Sequence, residues 1–96
     1  MIEFHPLARV ELQVALAWYR EKSARTAVRF LHRVDESLHR LIVDPSSYPT
    51  IGGRFRYIRV RKFPFVLAYQ VRSPNDVFIV AVAHTSRRSG YWTSRA

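Results

Sequence analysis

The feature that most constrains this chain is a change of hydrophobic period near its middle. Ala27, Phe30, Leu31, Val34, Leu38, Leu41 and Ile42 recur at three- and four-residue steps, the spacing of one face of a helix. After Gly53 the pattern shortens toward two, through Phe55, Tyr57, Ile58 and Val60 and then the apolar run Val77–Ala83. Between the two regimes, residues 45–53 (Pro-Ser-Ser-Tyr-Pro-Thr-Ile-Gly-Gly) are mostly turn chemistry. Helical and strand patterns must therefore share one core, because 96 residues leave no room for a second domain. With 48% hydrophobic residues the chain has apolar material for such a core.

The local signals predict the boundaries. Pro6 suits a first helical turn, since its missing N–H has no partner there in any case. From it Leu7, Val10, Val14, Ala17 and Trp18 trace one helix face, with Arg20 and Lys22 favourably placed against the dipole at the far end, so a first helix is expected over about 6–21. Ser23 can cap a second helix, and Asp44-Pro45 ends it because a residue before proline is pushed out of the α region. So short a link predicts an antiparallel helical hairpin. Strands are expected at 54–61, 65–72 and 77–84, with turns at 62–64 and 73–76, and short turns between consecutive strands favour an antiparallel meander. The phase slip at 57/58 predicts a bulge, or a strand with both faces in use. Residues 2–4 add an edge strand, and Gly90-Tyr91-Trp92 lie on a tail packed near the sheet. The expected fold is α+β: a helical hairpin packed on a small antiparallel sheet, in the order β-α-α-β-β-β.

Charge narrows the partner. Sixteen Lys and Arg against seven Asp and Glu give a net +9, which implies an anionic partner such as nucleic acid, an acidic protein or a membrane surface. Residues 1–49 hold seven of those cations against six acids, and residues 50–96 hold nine against one. There is no cysteine, which excludes a disulfide scaffold, a thiolate zinc site and a cysteine nucleophile. The four histidines do not read as a metal site: His32 and His39 stand two helical turns apart. No glycine-rich phosphate loop or G-x-S-x-G elbow is present, so nucleotide hydrolysis and serine hydrolase chemistry are not expected. The start of the chain does not read as an export signal, and the seven apolar residues Val77–Ala83 fall short of the ~20 that span a bilayer. A cytoplasmic protein without cofactors is the expectation.

Two clusters carry possible function. Arg54, Arg56, Arg59, Arg61 and Lys62 are interleaved with Phe55 and Tyr57 and contain no acid among them, as a nucleic-acid or acidic-peptide surface requires. The alternative is a solvated sheet face whose long stems cover apolar surface. His84, Arg87, Arg88, Tyr91, Trp92 and Arg95 follow the apolar strand. RNA cleavage needs a base for the 2′-OH proton, an acid for the leaving oxygen and cations at phosphorus, roles open to His84, Tyr91 and the arginines. The structural alternative has His84 hydrogen-bonding backbone, Tyr91 and Trp92 capping the core, and Arg95 paired with a carboxylate.

Taken together, several residues resemble those of the RelE/ParE superfamily of type II toxin–antitoxin toxins. They are Pro6, Trp18-Tyr19, Phe30 with the second-helix stripe, Pro45, Gly53, Phe63-Pro64-Phe65 and Leu67-Ala68-Tyr69. The most specific stretch is Ala81-Val82-Ala83-His84, then Arg87, Arg88, Tyr91-Trp92 and Arg95, similar to the family's C-terminal H-x-x-R…YW pattern. Where family members often carry a proline before the tyrosine, this chain has Ser89-Gly90. The resemblance implies a cytoplasmic bacterial toxin neutralised by an acidic, partly disordered antitoxin that folds on it. ParE-like members block DNA gyrase without known catalytic residues, whereas RelE-like members are ribosome-dependent mRNA endoribonucleases. The length, the Phe63-Pro64-Phe65 segment and the Tyr91-Trp92 tail look more ParE-like. On the RelE-like route the catalytic candidates are Arg59, Arg61, His84 and Tyr91. On any route Arg54, Arg56, Arg59, Arg61, Lys62, Arg87, Arg88, Trp92 and Arg95 are the candidate binding residues. A non-toxic basic binding module is a third reading.

Overall fold

A computed structural model describes residues 1–95. Strand β1 (Ile2–Phe4) leads into helix α1 (Pro6–Lys22) and helix α2 (Ala24–Val43), followed by strands β2 (Thr50–Ile51), β3 (Phe55–Val60), β4 (Phe65–Ser73) and β5 (Asp76–His84) and a single 3-10 turn (Thr93–Arg95). The strands form one sheet in the order β1-β5-β4-β3-β2. The α+β hairpin-on-sheet architecture is the expected one, with two additions. A two-residue strand, β2, pairs with β3, and the edge strand β1 runs parallel to β5, which makes the sheet mixed. The α1–α2 hairpin that separates β1 from the other strands carries the chain back to the same end of the sheet, so β1 docks parallel beside the last strand.

The helix boundaries follow from their caps. The His5 imidazole accepts the Leu7 N–H at its Nδ1, 3.0 Å away, one of the donors a helix start leaves open. Ser23 serves both helices: its N–H closes α1 on the Tyr19 carbonyl at 2.8 Å, and its Oγ accepts the Thr26 N–H at 3.3 Å. One residue thus joins the two helices.

The core lies between the hairpin and the sheet. Phe30 is fully buried and its ring meets those of Tyr19, Phe63 and Phe65 at centroid separations of 5.0–5.3 Å. Val34 and Leu41 continue the buried face of α2, whereas Leu31 and Ile42, expected in the same stripe, are 39% and 54% exposed. They sit on the shoulder of the wheel, where a stripe wider than the sheet contact runs out into solvent. Ser37 takes a buried place instead. Its hydroxyl donates to the Arg33 carbonyl at 2.9 Å, which satisfies it within the helix. Tyr69 is also fully buried, with its hydroxyl on the Pro45 carbonyl at 2.6 Å; burial pushes that phenol up to about 12.

The phase slip at 57/58 is a two-faced strand and not a bulge. The β3–β4 ladder runs from Arg56–Tyr69 to Val60–Phe65 without a break. Ile58 and Val60 face the helices, while Phe55 faces the opposite side with Ala68, Ala81, Ala83 and Trp92. Two register shifts lie between β4 and β5, at Ala68/Tyr69 and at Val71/Ser73, and the first is in the core. Ala68 pairs with Ala81 but Tyr69 pairs with Ile79, which leaves Val80 as the extra residue of a bulge. The bulge lets Ile79 and Val82, three positions apart, both point into the helix-side core.

β1 covers only Val77–Ile79 of β5, and the His5 N–H adds one bond to the Ile79 carbonyl at 2.8 Å. Beyond that point the edge of β5 is open, and side chains close it. The Glu11 carboxylate of α1 accepts the Val82 N–H at 3.0 Å. Arg95 donates to the Val80 carbonyl at 3.1 Å and grips both Glu11 oxygens, at 2.9 and 3.0 Å. The Tyr91 hydroxyl completes the set on Glu11 at 2.7 Å. Burial alone raises a carboxyl's pKa, but hydrogen bonds from Arg95, Tyr91 and Val82, with the Arg95 charge, outweigh it and hold Glu11 below its ordinary value.

Two outcomes test this account. Phe30→Ala removes a ring from the centre of the core and lowers unfolding free energy by about 3–5 kcal/mol, read by urea denaturation. Glu11→Gln lowers the thermal midpoint at pH 7. Because the folded Glu11 carboxyl titrates below 4.5, its contribution is complete above that pH and is lost as pH falls through the lower folded value, so the gap between wild type and Glu11→Gln narrows in acid.

Candidate functional site

The stripe Leu7, Val10, Val14, Ala17 and Trp18 is real as a helical face, but it faces solvent. Leu7, Val10, Val14 and Trp18 are 50%, 50%, 64% and 54% exposed, while α1 buries Ala8, Ala15 and Tyr19. Small residues on the inner face let α1 approach β5 closely, so the larger apolar residues are left on the flank. The Trp18 ring stands edge-on to Tyr19 at 5.1 Å with the Lys22 ammonium 5.0 Å from its centroid, which fixes it at the helix surface.

That flank forms one wall of a groove. Val10, Val14 and Trp18 face Pro64, Phe65, Val82 and His84 of the sheet across an open apolar cavity of about 530 Å³, with Glu11 and Arg87 at its end. An apolar groove with a few charged groups at one end is the usual form of a partner-binding surface.

The basic strand does not form a single patch. Alternation sends Arg56 to the helix side, where its guanidinium donates to the Tyr48 carbonyl at 2.6 Å and ties down the α2–β2 connector. Arg59 points from the opposite face, and its own carbonyl accepts from Arg40 at 2.9 Å. Arg54 is exposed just after Gly52 and Gly53, both at positive φ. Arg61 is exposed at the end of β3 with a guanidinium nitrogen 4.0 Å from Glu36, an acid that sequence distance hid from the cluster. Lys62 sits at the tip of the next turn.

The C-terminal cluster does converge, around Glu11. Arg95 and Tyr91 bond Glu11 as above, and Arg87 brings a nitrogen within 3.6 Å of it while lying 3.8 Å over the Tyr91 ring. Burial, followed by the Glu11 hydrogen bond and charge, pushes the Tyr91 phenol up to about 12 against the opposing charges of Arg87 and Arg95. A hydroxyl so held keeps its proton at neutral pH and spends it on Glu11. The His84 ring meets Phe65 edge-on at 5.1 Å, and its Nδ1 accepts the Ser86 N–H at 3.0 Å. In neutral His84 the proton therefore sits on Nε2. Trp92 is 3% exposed, packed on the face of the sheet away from the helices, and Arg88 is exposed. Arg59 and Ala83 both pair with Val66, which sets Arg59 two strands, about 10 Å, from β5.

Glu11 organises this cluster and was not singled out from the sequence. The available signal was an acid set between Val10 and Val14 on an apolar stripe, in a chain with few acids. Which cation would reach it depended on Arg95, 84 residues away.

Among solved structures, a chain described as "Chromosomal ParDE TA system from P. aeruginosa" is similar in fold, with a TM-score of 0.73 at 13% identity over 88% of this chain and 95% of that one. No curated protein sequence matches this one. Residues 2–89 match the model of a family described as "ParE toxin of type II toxin-antitoxin system, parDE". The match takes in both helices and all five strands, and the chain belongs to the ParE toxin family within the RelE/ParE superfamily.

Proposed function

We propose that this protein is a cytoplasmic toxin that inhibits DNA gyrase by binding it, and that an acidic antitoxin neutralises it by covering the groove on α1. The observation that carries the reading is the apolar groove itself, on a chain whose family is defined by toxin–antitoxin pairing. An isolated protein with Leu7, Val10, Val14 and Trp18 half or more exposed in one line presents the i, i+3, i+7, i+11 ridge of a helix prepared for a partner. The charge of that partner follows from the +9 of the chain and from Arg87 at the groove's end. An amphipathic acidic segment, disordered when free, fits both requirements.

Binding, and not cleavage, is favoured by the state of the catalytic candidates. Tyr91 is committed to Glu11, and His84 spends Nδ1 on the Ser86 N–H. Arg59 is set two strands away from β5.

Pulse-labelling after induced expression in bacteria tests the target. DNA synthesis falls before protein synthesis; the reverse order supports a ribonuclease and overturns the gyrase reading. Val14→Asp tests the groove, because Val14 is exposed and its replacement changes stability by less than about 0.5 kcal/mol. Cells expressing this variant together with the antitoxin still arrest, as the antitoxin's affinity for it falls tenfold or more, about 1.4 kcal/mol. Full protection of those cells removes the groove from the interface.

A further inference from the structure

The second strongly marked surface lies on the other side of the hairpin. Arg29, Arg33 and Arg40 recur at i, i+4 and i+11 on the flank of α2 that faces β3. The turn after β3 adds Arg61 and Lys62 to the same flank. Arg29, His32, Arg33 and Lys62 together line an open basin of about 590 Å³ whose one acid is Glu36 and whose floor is Phe63. Glu36 is already engaged, 3.2 Å from Arg33 and 4.0 Å from Arg61, so it orients two guanidinium groups and leaves the basin with a surplus of positive charge. The tip of the turn is held in an unusual way. Lys62 has φ +72, a left-handed conformation that a lysine adopts at a conformational cost a glycine would be spared.

We infer that this α2–β3 face binds the phosphodiester backbone of duplex DNA. Three observations separate that ligand from the alternatives. Protein interfaces depend on clusters of apolar or aromatic anchors, and the basin offers a single one, the partly buried Phe63, whose ring packs against Tyr19 and Phe30, 5.1 and 5.2 Å away. With its one ring half-buried in the core, the basin lacks the series of exposed rings on which the successive bases of single-stranded nucleic acid stack. A row of cations carried on a rigid helix, with the Arg29 and Arg40 positions about 16 Å apart by helical rise, suits a ligand whose charges are themselves in a rigid row. The surface is separate from the apolar groove on α1, and the inference does not rest on what covers that groove or on gyrase being the target.

The test is fluorescence anisotropy with a labelled 20-base-pair duplex of mixed sequence, titrated with the full chain at several salt concentrations. A triple variant, Arg29→Ala with Arg33→Ala and Lys62→Gly, removes the basin's cations, and the glycine relieves the backbone at position 62. A control triple, Arg9→Ala with Arg20→Ala and Arg72→Ala, removes the same charge from exposed sites elsewhere, and thermal unfolding verifies that both variants are folded. The basin variant binds the duplex at least tenfold more weakly than wild type, and the slope of log affinity against log salt falls by about two to three. The control variant loses less than threefold. Equal losses in the two variants, or no binding by wild type, overturn the assignment. So does equal or better competition by poly-glutamate or a single strand of matched charge.

Discussion

The Glu11 carboxylate holds together three parts of the chain that no backbone ladder joins. β1 is too short to cover β5, so the Val80 carbonyl and the Val82 N–H lie on an open edge inside the molecule, where an unpaired backbone group is costly. Glu11 from α1 takes the N–H and Arg95 from the tail takes the carbonyl, and the two then close on each other in a bidentate pair. The helix, the sheet edge and the last turn are fixed by one ion pair. It also determines the state of Tyr91, whose hydroxyl is drawn to the same carboxylate. Loss of either partner strands a mostly buried charge along with the one backbone group that partner satisfied, so the pair acts as a structural unit more than as a surface salt bridge.

Both faces of the sheet carry packed side chains as a result, the second only in part. The hairpin packs on one side, and the tail, held at Arg95, lays Trp92 on the other. The two surfaces proposed for recognition flank the hairpin. One is the apolar wall of α1 opposite Phe65 and Val82, and the other is the basic flank of α2 beside β3. They differ in what they can hold, because one offers apolar area for burial and the other offers mainly charge. Helix packing accounts for the division. Ala8 and Ala15 bring α1 close to β5, Tyr19 joins the aromatic core, and Leu7, Val10, Val14 and Trp18 are left outside, while α2 buries Phe30, Val34 and Leu41 and leaves its arginines on the shoulder.

Much of this layout was legible from local pattern. Pro6, Ser23 and Asp44-Pro45 mark the helix ends within a residue, and the turns at 62–64 and 73–76 mark the strands, because caps, turns and prolines act on neighbouring residues. The phase slip at 57/58 left a bulge and a two-faced strand open, and the structure takes the second, with a bulge in β5 that the sequence did not mark. A phase slip in β3 and a bulge in β5 look alike in one strand, and only the pairing with β4 distinguishes them. β2 was missed because two residues carry no period at all. The candidate site was less legible. The Arg56 and Arg59 positions belong to one run in sequence and to opposite faces in space, and Glu36 neutralises part of a cluster that contains no acid of its own.

The sequence by itself determined the periods, the caps, the turns and the sign of the charge, since each depends on residues a few positions apart or on simple sums. Only the tertiary structure decided which side of a periodic stripe is buried. For α1 it was the side of Ala8, Ala15 and Tyr19, because close approach to β5 favours alanine over Val14 beside it, while Tyr19 reaches the aromatic core beyond. The tertiary structure also chose Glu11 as the partner of Arg95, from seven acids and fourteen arginines, because pairing across 84 residues depends on where the sheet edge is left open. A periodic pattern identifies a surface; packing decides whether that surface becomes core or a place for another molecule to bind.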